Sequence, residues 1–225
     1  MLQCIIFDLS EVLIAGLVGV EESLSVELDV PQDEILSCFA GRLLEELLTG
    51  NISEDTYLTH IIAATERWPI DLETLKAAIR HNFHNRVEGS VEILLALPAV
   101  YDLVLLSDHA VEWVSYIQAI HPFLEIFERT FFSCDLKTLK RDPATFAEVL
   151  NALSISPTQC LFIDDNPENV SVARSVGIPG IRFLNAKQLA VELDERQVLS
   201  GRALRTAVER THAGRGASCV ACRRT

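Results

Sequence analysis

The feature that most constrains the fold is a short apolar run that ends directly in two adjacent carboxylates. Residues 160–163 read Cys-Leu-Phe-Ile, and Asp164 and Asp165 follow at once. Such a run is typical of a buried strand in a parallel sheet, and these sheets carry ligand sites at the carboxyl ends of their strands. Two adjacent carboxylates repel each other unless a cation lies between them. The segment therefore predicts a buried strand that delivers two acids to a Mg²⁺ site.

Two other apolar runs end in a similar way. Residues 2–7 lead into Asp8, and residues 103–106 lead into Ser107 and Asp108. The ligand sites of open parallel sheets lie at one edge, outside the carboxyl ends of the strands, so we expect these polar groups to converge there. The sequence therefore predicts one site built from residues that lie far apart along the chain.

Helical and strand-like segments alternate from Ser90 onward. This alternation predicts right-handed crossover connections and a parallel sheet that is covered by helices on both faces. The predicted fold class is therefore α/β, with a Rossmann-like three-layer core. The predicted strands are Leu103–Leu106, Arg129–Phe132, Cys160–Ile163 and Ile181–Phe183, and the predicted helices are Val91–Leu97, Val111–Ile120, Pro143–Leu153 and Pro167–Val176.

Residues 16–86 have a different, helical pattern. Gly and Pro separate amphipathic stretches there, and capping residues followed by acids mark two of the helix starts. We therefore expect a helical subdomain inserted into a core that comprises residues 1–15 and 87–190. Residues 191–225 are expected to form a C-terminal helix and a disordered basic tail. The helices predicted in the insert are Val20–Leu28, Asp33–Leu48, Ser53–Ala64 and Asp71–His84.

The charge of the chain limits its partners. A formal net charge of −13 argues against binding to nucleic acid, whose phosphates need a basic surface. Residues 196–225 differ, because they hold seven Arg and one Glu. We interpret them as a solvated tail, with a contact to an anionic partner as the alternative. No apolar stretch is long enough to span a membrane, and Asp8 and Glu11 interrupt the N-terminal one, which argues against a signal peptide.

Six cysteines are scattered along the chain. Three of them, Cys4, Cys134 and Cys160, lie in or beside apolar runs, where cysteine acts as a small hydrophobic residue. A reducing, cytoplasmic location is the resulting prediction. Cys219 and Cys222 form a C-x-x-C pair, but a four-ligand zinc site needs two further ligands. We interpret that spacing as incidental.

The order of the polar groups along the chain is Asp8, Ser107, Lys140 and then Asp164-Asp165. With this order, the chain resembles the haloacid dehalogenase-like hydrolases over residues 1–190. Most members of that family are phosphatases that work through an aspartyl-phosphate. The resemblance implies that residues 16–86, called the cap below, are a helical C1 cap over the active site.

The resemblance also implies roles for single residues in catalysis and substrate binding. Asp8 matches the nucleophile, since a carboxylate can attack phosphorus and split one displacement into two easier ones. Ser107 matches the hydroxyl that holds the phosphoryl oxygens, with Asp108 beside it. Lys140 matches the cation that pairs with the phosphate and the nucleophile, although Lys137 is a rival for that role.

A metal site is implied by the same resemblance. Asp8, the main-chain carbonyl of Ser10, Asp164 and Asp165 match the ligands of Mg²⁺, an ion that prefers oxygen and keeps several waters. Asp165 matches the direct ligand. Asp164 matches the neighbouring acid, which contacts the ion through water or through the direct ligands. Asn169 matches an asparagine that braces the loop.

The first motif departs from the family in one position. Phosphatases of the family read D-x-D, and their second Asp protonates the leaving group, whereas this chain has Ser10 there, followed by Glu11. General acid–base catalysis is worth about 10²–10⁴-fold, so its loss affects poor leaving groups most. Ser10 is kept among the catalytic positions because it stands where that acid would.

Three functional hypotheses remain open at this point. The first is a Mg²⁺-dependent phosphomonoester hydrolase for a small phosphorylated metabolite, with a sugar phosphate as one candidate, acting as a monomer or homodimer. The second is a weak or inactive binding protein of the same fold, because Ser10 replaces the acid. The third is a 2-haloacid dehalogenase, against which the Asp164-Asp165 pair argues because dehalogenation needs no metal.

Overall fold

The structure, a computed structural model, describes residues 1–65 and 68–200. These residues form a five-stranded sheet in the order β3-β2-β1-β4-β5, and all neighbouring strands are parallel. The α/β class and the Rossmann-like core predicted from the sequence are confirmed. The strands are β1 (Cys4–Phe7), β2 (Asp102–Ser107), β3 (Arg129–Phe132), β4 (Cys160–Asp164) and β5 (Gly180–Arg182).

Helices cover both faces of the sheet and build the cap. Within the cap they are α1 (Val20–Leu28), α2 (Gln32–Cys38), α3 (Arg42–Leu48), α4 (Glu54–Ala64) and α5 (Leu72–Phe83). The remaining helices are α6 (Ser90–Ala96), α7 (Val111–Ile120), α8 (Ser133–Leu136), α9 (Pro143–Leu153), α10 (Pro167–Ser175) and α11 (Ala186–Glu195).

The alternation of side chains along β1 accounts for the layered core. Ile5 and Phe7 belong to the larger apolar cluster, which continues into the cap, whereas Cys4 and Ile6 belong to a second cluster on the opposite face. All four side chains are buried because successive residues of a strand point to opposite faces. An apolar run without polar interruption therefore marks a strand that is covered on both sides.

The position of β1 creates the site. Its last residue, Phe7, pairs with Leu105 of β2 on one side and with Ile163 of β4 on the other. The strand order reverses direction at β1 and β4, and parallel sheets bind ligands outside the carboxyl ends of the strands at such a point. The residues that follow β1, β2 and β4 are therefore brought to one crevice.

Of the two helix starts predicted from a capping residue followed by acids, the one at residues 52–55 is confirmed, whereas Pro31 at the start of α2 makes no side-chain capping bond. The Ser53 hydroxyl accepts a hydrogen bond from the backbone N–H of Thr56 at the start of α4, and the Asp71 carboxylate accepts one from Thr74 at the start of α5. Each cap satisfies one of the backbone N–H groups that have no partner within the helix.

The single helix predicted over Asp33–Leu48 is wrong. The chain forms two helices there, α2 and α3, separated by Gly41 at φ +87°. Glycine adopts that conformation without the steric cost that other residues incur. The carbonyl of Leu48, at the end of α3, accepts a hydrogen bond from the hydroxyl of Ser133, the first residue of α8.

The C-terminal boundary also differs from the prediction. Helix α11 begins at Ala186, before the boundary placed at residue 190, and β5 ends at Arg182. The predicted basic tail and its C-x-x-C pair lie in residues 201–225, outside the described residues. The division into core and cap stays a prediction. Within the described ranges, no helix combines the length and apolar character that crossing a membrane requires.

A buried carboxylate in the cap forms an ion pair within the cap and a hydrogen bond to the core. The carboxylate of Glu54 in α4 accepts two hydrogen bonds from Arg80 of α5, at 2.9 and 2.6 Å, and a third from the indole N–H of Trp113 in α7, at 2.8 Å. The Glu54 side chain is 2% exposed. Buried charges persist where they are paired and hydrogen-bonded, and this pair fixes both cap helices against α7.

Candidate active site

Three carboxylates meet at the carboxyl ends of β1 and β4. Asp8 follows β1, Asp164 is the last residue of β4, and Asp165 comes next; one oxygen from each lies within 4.8 Å of the others. Asp8 and Asp164 are buried, and Asp165 is half-buried. Oxygen donors at this spacing fit a hard divalent cation such as Mg²⁺, which is satisfied by a few carboxylates plus water.

Lys140 joins two of these carboxylates. Its ammonium lies 2.7 Å from Oδ1 of Asp8 and 2.7 Å from Oδ2 of Asp164, and it is the only lysine or arginine that is buried among the described residues. Its rival Lys137 is exposed, and its ammonium donates to the carbonyl of Gly50 instead. The structure therefore brings Lys140 into the cluster and leaves Lys137 outside it.

Donors surround one oxygen of Asp8 and leave the other open. Oδ1 accepts from the Ser107 hydroxyl at 2.8 Å and from the backbone N–H of Leu9 at 2.7 Å, in addition to Lys140. Oδ2 accepts no hydrogen bond from residues 1–65 or 68–200. One oxygen is thus held by three donors, and the other keeps its lone pairs for a substrate or an ion.

Asp164 has both oxygens engaged by the protein. Oδ1 accepts from the backbone N–H of Asn166 at 2.8 Å, Oδ2 accepts from Lys140, and the Asn169 amide donates to both at 3.2 Å. This arrangement agrees with the bracing role predicted for Asn169. Because both oxygens are engaged, an indirect contact of Asp164 with an ion, through water, is favoured. Asp165 remains more accessible for direct coordination.

Asp108 braces the lysine loop. Its carboxylate accepts from the backbone N–H of Lys140 at 3.2 and 3.3 Å. This contact fixes the backbone of Lys140, so Asp108 helps to position the ammonium of that lysine. A contact of Asp108 with substrate stays a prediction.

Burial and charge shift the ionisation of the cluster. Burial raises the pKa of Asp8, against the effect of Lys140, and raises the pKa of Asp164 to about 6, with Lys140 opposing and Asp8 reinforcing the shift. Burial also raises the pKa of Asp165. Burial opposes the charge of Lys140, yet Asp164, Asp8 and Asp108 together raise its pKa above the ordinary value. Burial thus destabilises the charged form of all three carboxylates, an effect that a bound cation would offset.

The residues after Asp8 turn sharply. Glu11 has φ 59°, in the left-handed region, and its Oε1 accepts from the backbone N–H of Gly16 at 2.8 Å. Burial, which that hydrogen bond opposes, raises the pKa of Glu11. The Ser10 hydroxyl lies 2.9 Å from Nε2 of His109.

His109 is a residue that sequence reasoning missed. It is 2% exposed and lies two positions after Ser107, at the same edge of the sheet. No sequence pattern around His109 indicates this role, because its contact with Ser10 depends on the pairing of β1 with β2. The structure thus adds one polar side chain to the predicted set.

A cavity of about 280 Å³ lies between the cap and the core beside the cluster. Phe39, Leu44 and Leu48 line it from the cap, and Asp108, Arg141 and Asn169 line it from the core. Arg141 also forms an ion pair with Glu45 of α3 at 2.6 Å, across the cap–core boundary. Apolar and polar side chains therefore line the cavity together, as in many pockets for small molecules.

Comparison with known proteins identifies the family. The model of the haloacid dehalogenase-like hydrolases matches residues 2–177. The chain belongs to this family. The resemblance inferred from Asp8, Ser107, Lys140 and the Asp164-Asp165 pair is confirmed.

One curated relative is a plant protein. The chain is 29% identical over 167 residues to flavin mononucleotide hydrolase 1 of Arabidopsis thaliana, a chloroplastic protein; the match covers 74% of this chain. The chain spans 66% of the length of that relative.

Solved structures share the fold. A HAD family enzyme from Bacteroides thetaiotaomicron, in complex with magnesium and inorganic phosphate, superposes with a TM-score of 0.67 at 23% identity, covering 80% of this chain and 93% of that one. A HAD-like family hydrolase from Porphyromonas gingivalis gives 0.68 at 21%, covering 88% and 98%. The L-2-haloacid dehalogenase of Xanthobacter autotrophicus gives 0.63 at 18%, covering 92% and 88%. At these identities the likeness shows the fold.

Proposed function

We propose that this hydrolase is a Mg²⁺-dependent phosphatase that hydrolyses a small phosphorylated metabolite through a phosphoryl group carried on Asp8. The observation that supports it is the convergence of Asp8, Lys140 and the Asp164-Asp165 pair within hydrogen-bonding or ion-bridging distance. Phosphoryl transfer needs a nucleophile, cations for the phosphate charge and a fixed geometry. The cluster offers all three.

The proposed reaction has two steps, both at Asp8. An oxygen of Asp8 forms a bond to phosphorus, the ester P–O bond breaks, and its electron pair leaves with the organic group. Water then attacks the phosphorus of the acyl phosphate, which releases phosphate and restores the carboxylate. Ser107 and Lys140 stabilise the phosphoryl oxygens, and Lys140 also holds Asp8 and Asp164 in place.

The proposed direct metal ligands are Asp8, the main-chain carbonyl of Ser10 and Asp165. Asp164 would contact the ion indirectly, through water. When bound, Mg²⁺ neutralises the carboxylates and the phosphoryl oxygens. The raised pKa values of Asp8, Asp164 and Asp165 support the assignment, because each reports a carboxylate that burial destabilises in its charged form.

The identity at residue 10 limits the substrate. A serine hydroxyl does not protonate an alkoxide as a carboxylic acid does, so esters of comparatively acidic alcohols are favoured, among them sugar 1-phosphates. The cavity of about 280 Å³ suits a compact organic group. FMN belongs in the substrate panel because the plant relative is named for its hydrolysis. A cytoplasmic location and a monomeric or homodimeric state stay predictions.

The weak or inactive binding protein is the second candidate, and Ser10 is the observation that favours it. The variant Ser10→Asp separates the two. A large gain in rate from a nearly inactive wild type supports the binding protein, whereas a wild type with substantial turnover supports the phosphatase. For the dehalogenase alternative, halide release from a 2-haloacid without Mg²⁺ is the corresponding test.

Phosphate release from p-nitrophenyl phosphate, sugar phosphates and FMN, with Mg²⁺ and with EDTA, tests the proposal. Asp8→Asn preserves the shape of the side chain and removes the nucleophilic oxygen. We expect Mg²⁺-dependent turnover that this variant abolishes. Turnover that persists in Asp8→Asn, or that EDTA leaves unchanged, contradicts the proposal.

A further inference from the structure

A histidine–serine pair stands where the family's phosphatases carry a carboxylic acid. Nε2 of His109 lies 2.9 Å from Oγ of Ser10, and the two residues come from different strand ends, after β2 and β1. The His109 side chain is buried, and Ser10 is half-buried.

The surroundings of the ring fix its tautomer. Nδ1 of His109 has no hydrogen-bond partner among the described residues, and the ring packs edge-to-face against Phe83 and Trp113, with centroids 6.1 and 6.3 Å away. A buried N–H without a partner is rarer in proteins than a buried acceptor without one. The proton therefore belongs on Nε2, which donates to Ser10.

The pair is held on both sides. A Cβ atom added to Gly16 would lie 2.8 Å from Oγ of Ser10, so glycine there allows the close approach of the chain to the hydroxyl. The backbone N–H of His109 donates to the Ser133 hydroxyl at 3.0 Å, which in turn donates to the carbonyl of Leu48 in the cap at 2.6 Å. The ring and the hydroxyl are thus fixed relative to the sheet edge and to the cap.

A hydroxyl that accepts from His109 has its own proton left to donate. Had Nδ1 carried the ring proton, the Ser10 proton would go to Nε2, and Ser10 would only accept. The tautomer therefore decides whether Ser10, two residues after Asp8, can donate its proton to a group other than His109.

We propose that His109 is a positioning residue which, by donating to Oγ of Ser10, directs the Ser10 proton toward the oxygen of the departing organic group. This inference rests on the proposed phosphatase function. Ser10 donates a hydrogen bond without giving up its proton; the P–O electron pair stays on the leaving oxygen, which takes a proton from water. The substrate class that follows is phosphomonoesters of comparatively acidic alcohols, such as phenols and anomeric sugar hydroxyls.

A double-mutant cycle tests the pair. His109→Phe keeps an aromatic ring against Phe83 and Trp113 but removes the donor, Ser10→Ala removes the hydroxyl, and His109→Gln keeps an N–H donor. With aryl phosphates of increasing leaving-group pKa, we expect Ser10→Ala and His109→Phe each to lower kcat about 3- to 10-fold, the effect of one hydrogen bond, and most for the poorest leaving group. The double variant should be no slower than the slower single variant, and His109→Gln should recover part of the rate.

Two outcomes overturn the inference while the phosphatase function stands. One is multiplication of the two losses in the double variant; the other is an equal loss for every leaving group, or a change confined to KM. A wild type without phosphatase activity removes the proposed function and, with it, the role of the pair in catalysis. Circular dichroism melting of each variant shows whether it is folded.

The tautomer is measured without turnover. Long-range ¹H–¹⁵N correlation spectra of the imidazoles, with the His109 signal assigned by its absence in His109→Gln, should show a ring that carries a proton on Nε2. A ring protonated only at Nδ1 contradicts the proposal, even if the enzyme is active. This measurement therefore separates failure of the pair from failure of the phosphatase assignment.

Discussion

Replacement of Lys140 by methionine removes the central cation of the carboxylate cluster. Methionine keeps much of the volume and length of the lysine stem but leaves Asp8 and Asp164 without the ammonium that lies 2.7 Å from each. The side chains of Lys140, Asp8 and Asp164 are 3%, 6% and 0% exposed, so water cannot replace the lost contacts directly.

The expected cost follows from that burial. Removing one partner of a buried ion pair costs about 3–5 kcal/mol, because it leaves an uncompensated charge in the interior. For a domain of this size that corresponds to a decrease in Tm of about 6–20 °C. The pKa values of the carboxylates, already above their ordinary range, rise further in the variant. Because the folded variant then binds protons more tightly than the unfolded chain, its deficit is largest near neutral pH and smaller in acid.

Urea unfolding in EDTA at about pH 7.5 and about pH 5 measures both effects. The matched control is Lys137→Met, which removes an exposed lysine whose ammonium contacts only the Gly50 carbonyl among the described residues. We expect a change below about 1 kcal/mol for the control. A deficit of Lys140→Met that is equally small, or that grows as the pH falls, would refute the reasoning.

Three further predictions concern the metal, the cap and the helix break. Mg²⁺ should raise Tm more at about pH 7.5 than at about pH 5, because Asp164, with a pKa of about 6, loses its proton between them; equal shifts in differential scanning fluorimetry contradict this. Arg80→Met should cost about 3–5 kcal/mol in urea unfolding because it leaves Glu54 buried without its cation, whereas Lys76→Met, whose carboxylate partners are exposed, should cost less than about 1 kcal/mol; similar losses contradict the role of the buried pair. Gly41→Ala should cost about 1–3 kcal/mol through its φ of +87° alone, since no atom lies within 4 Å of the added Cβ; an unchanged Tm contradicts that reading.

The strand ends could be predicted because each carries its own local signal. Four buried residues followed by a carboxylate need no knowledge of distant contacts, and the parallel arrangement then places Asp8 beside Asp164 and Asp165. The choice between Lys137 and Lys140 is different. Only the path of the loop after α8 decides which ammonium turns inward, and that path depends on the Asp108 carboxylate, which binds the Lys140 backbone.

Two features could not be read from linear spacing. Residues 33–48 keep an amphipathic pattern through Gly41, and a single glycine costs a helix only about 1 kcal/mol, so Gly41 alone does not predict that the helix breaks there. His109 comes within 2.9 Å of Ser10 because β1 and β2 are neighbours and the turn after Asp8 is sharp. Neither condition is visible around His109 in the sequence.

Transfer of a phosphoryl group to Asp8 is the central claim, and a single-turnover experiment tests it most directly. The enzyme is mixed with ³²P-labelled phosphoester and Mg²⁺, quenched in acid within milliseconds, and digested for peptide mapping. We expect label on the peptide that contains Asp8, decaying as free phosphate appears, and no label in Asp8→Asn. Release of phosphate without labelled protein, or label on a peptide that lacks Asp8, would contradict the account.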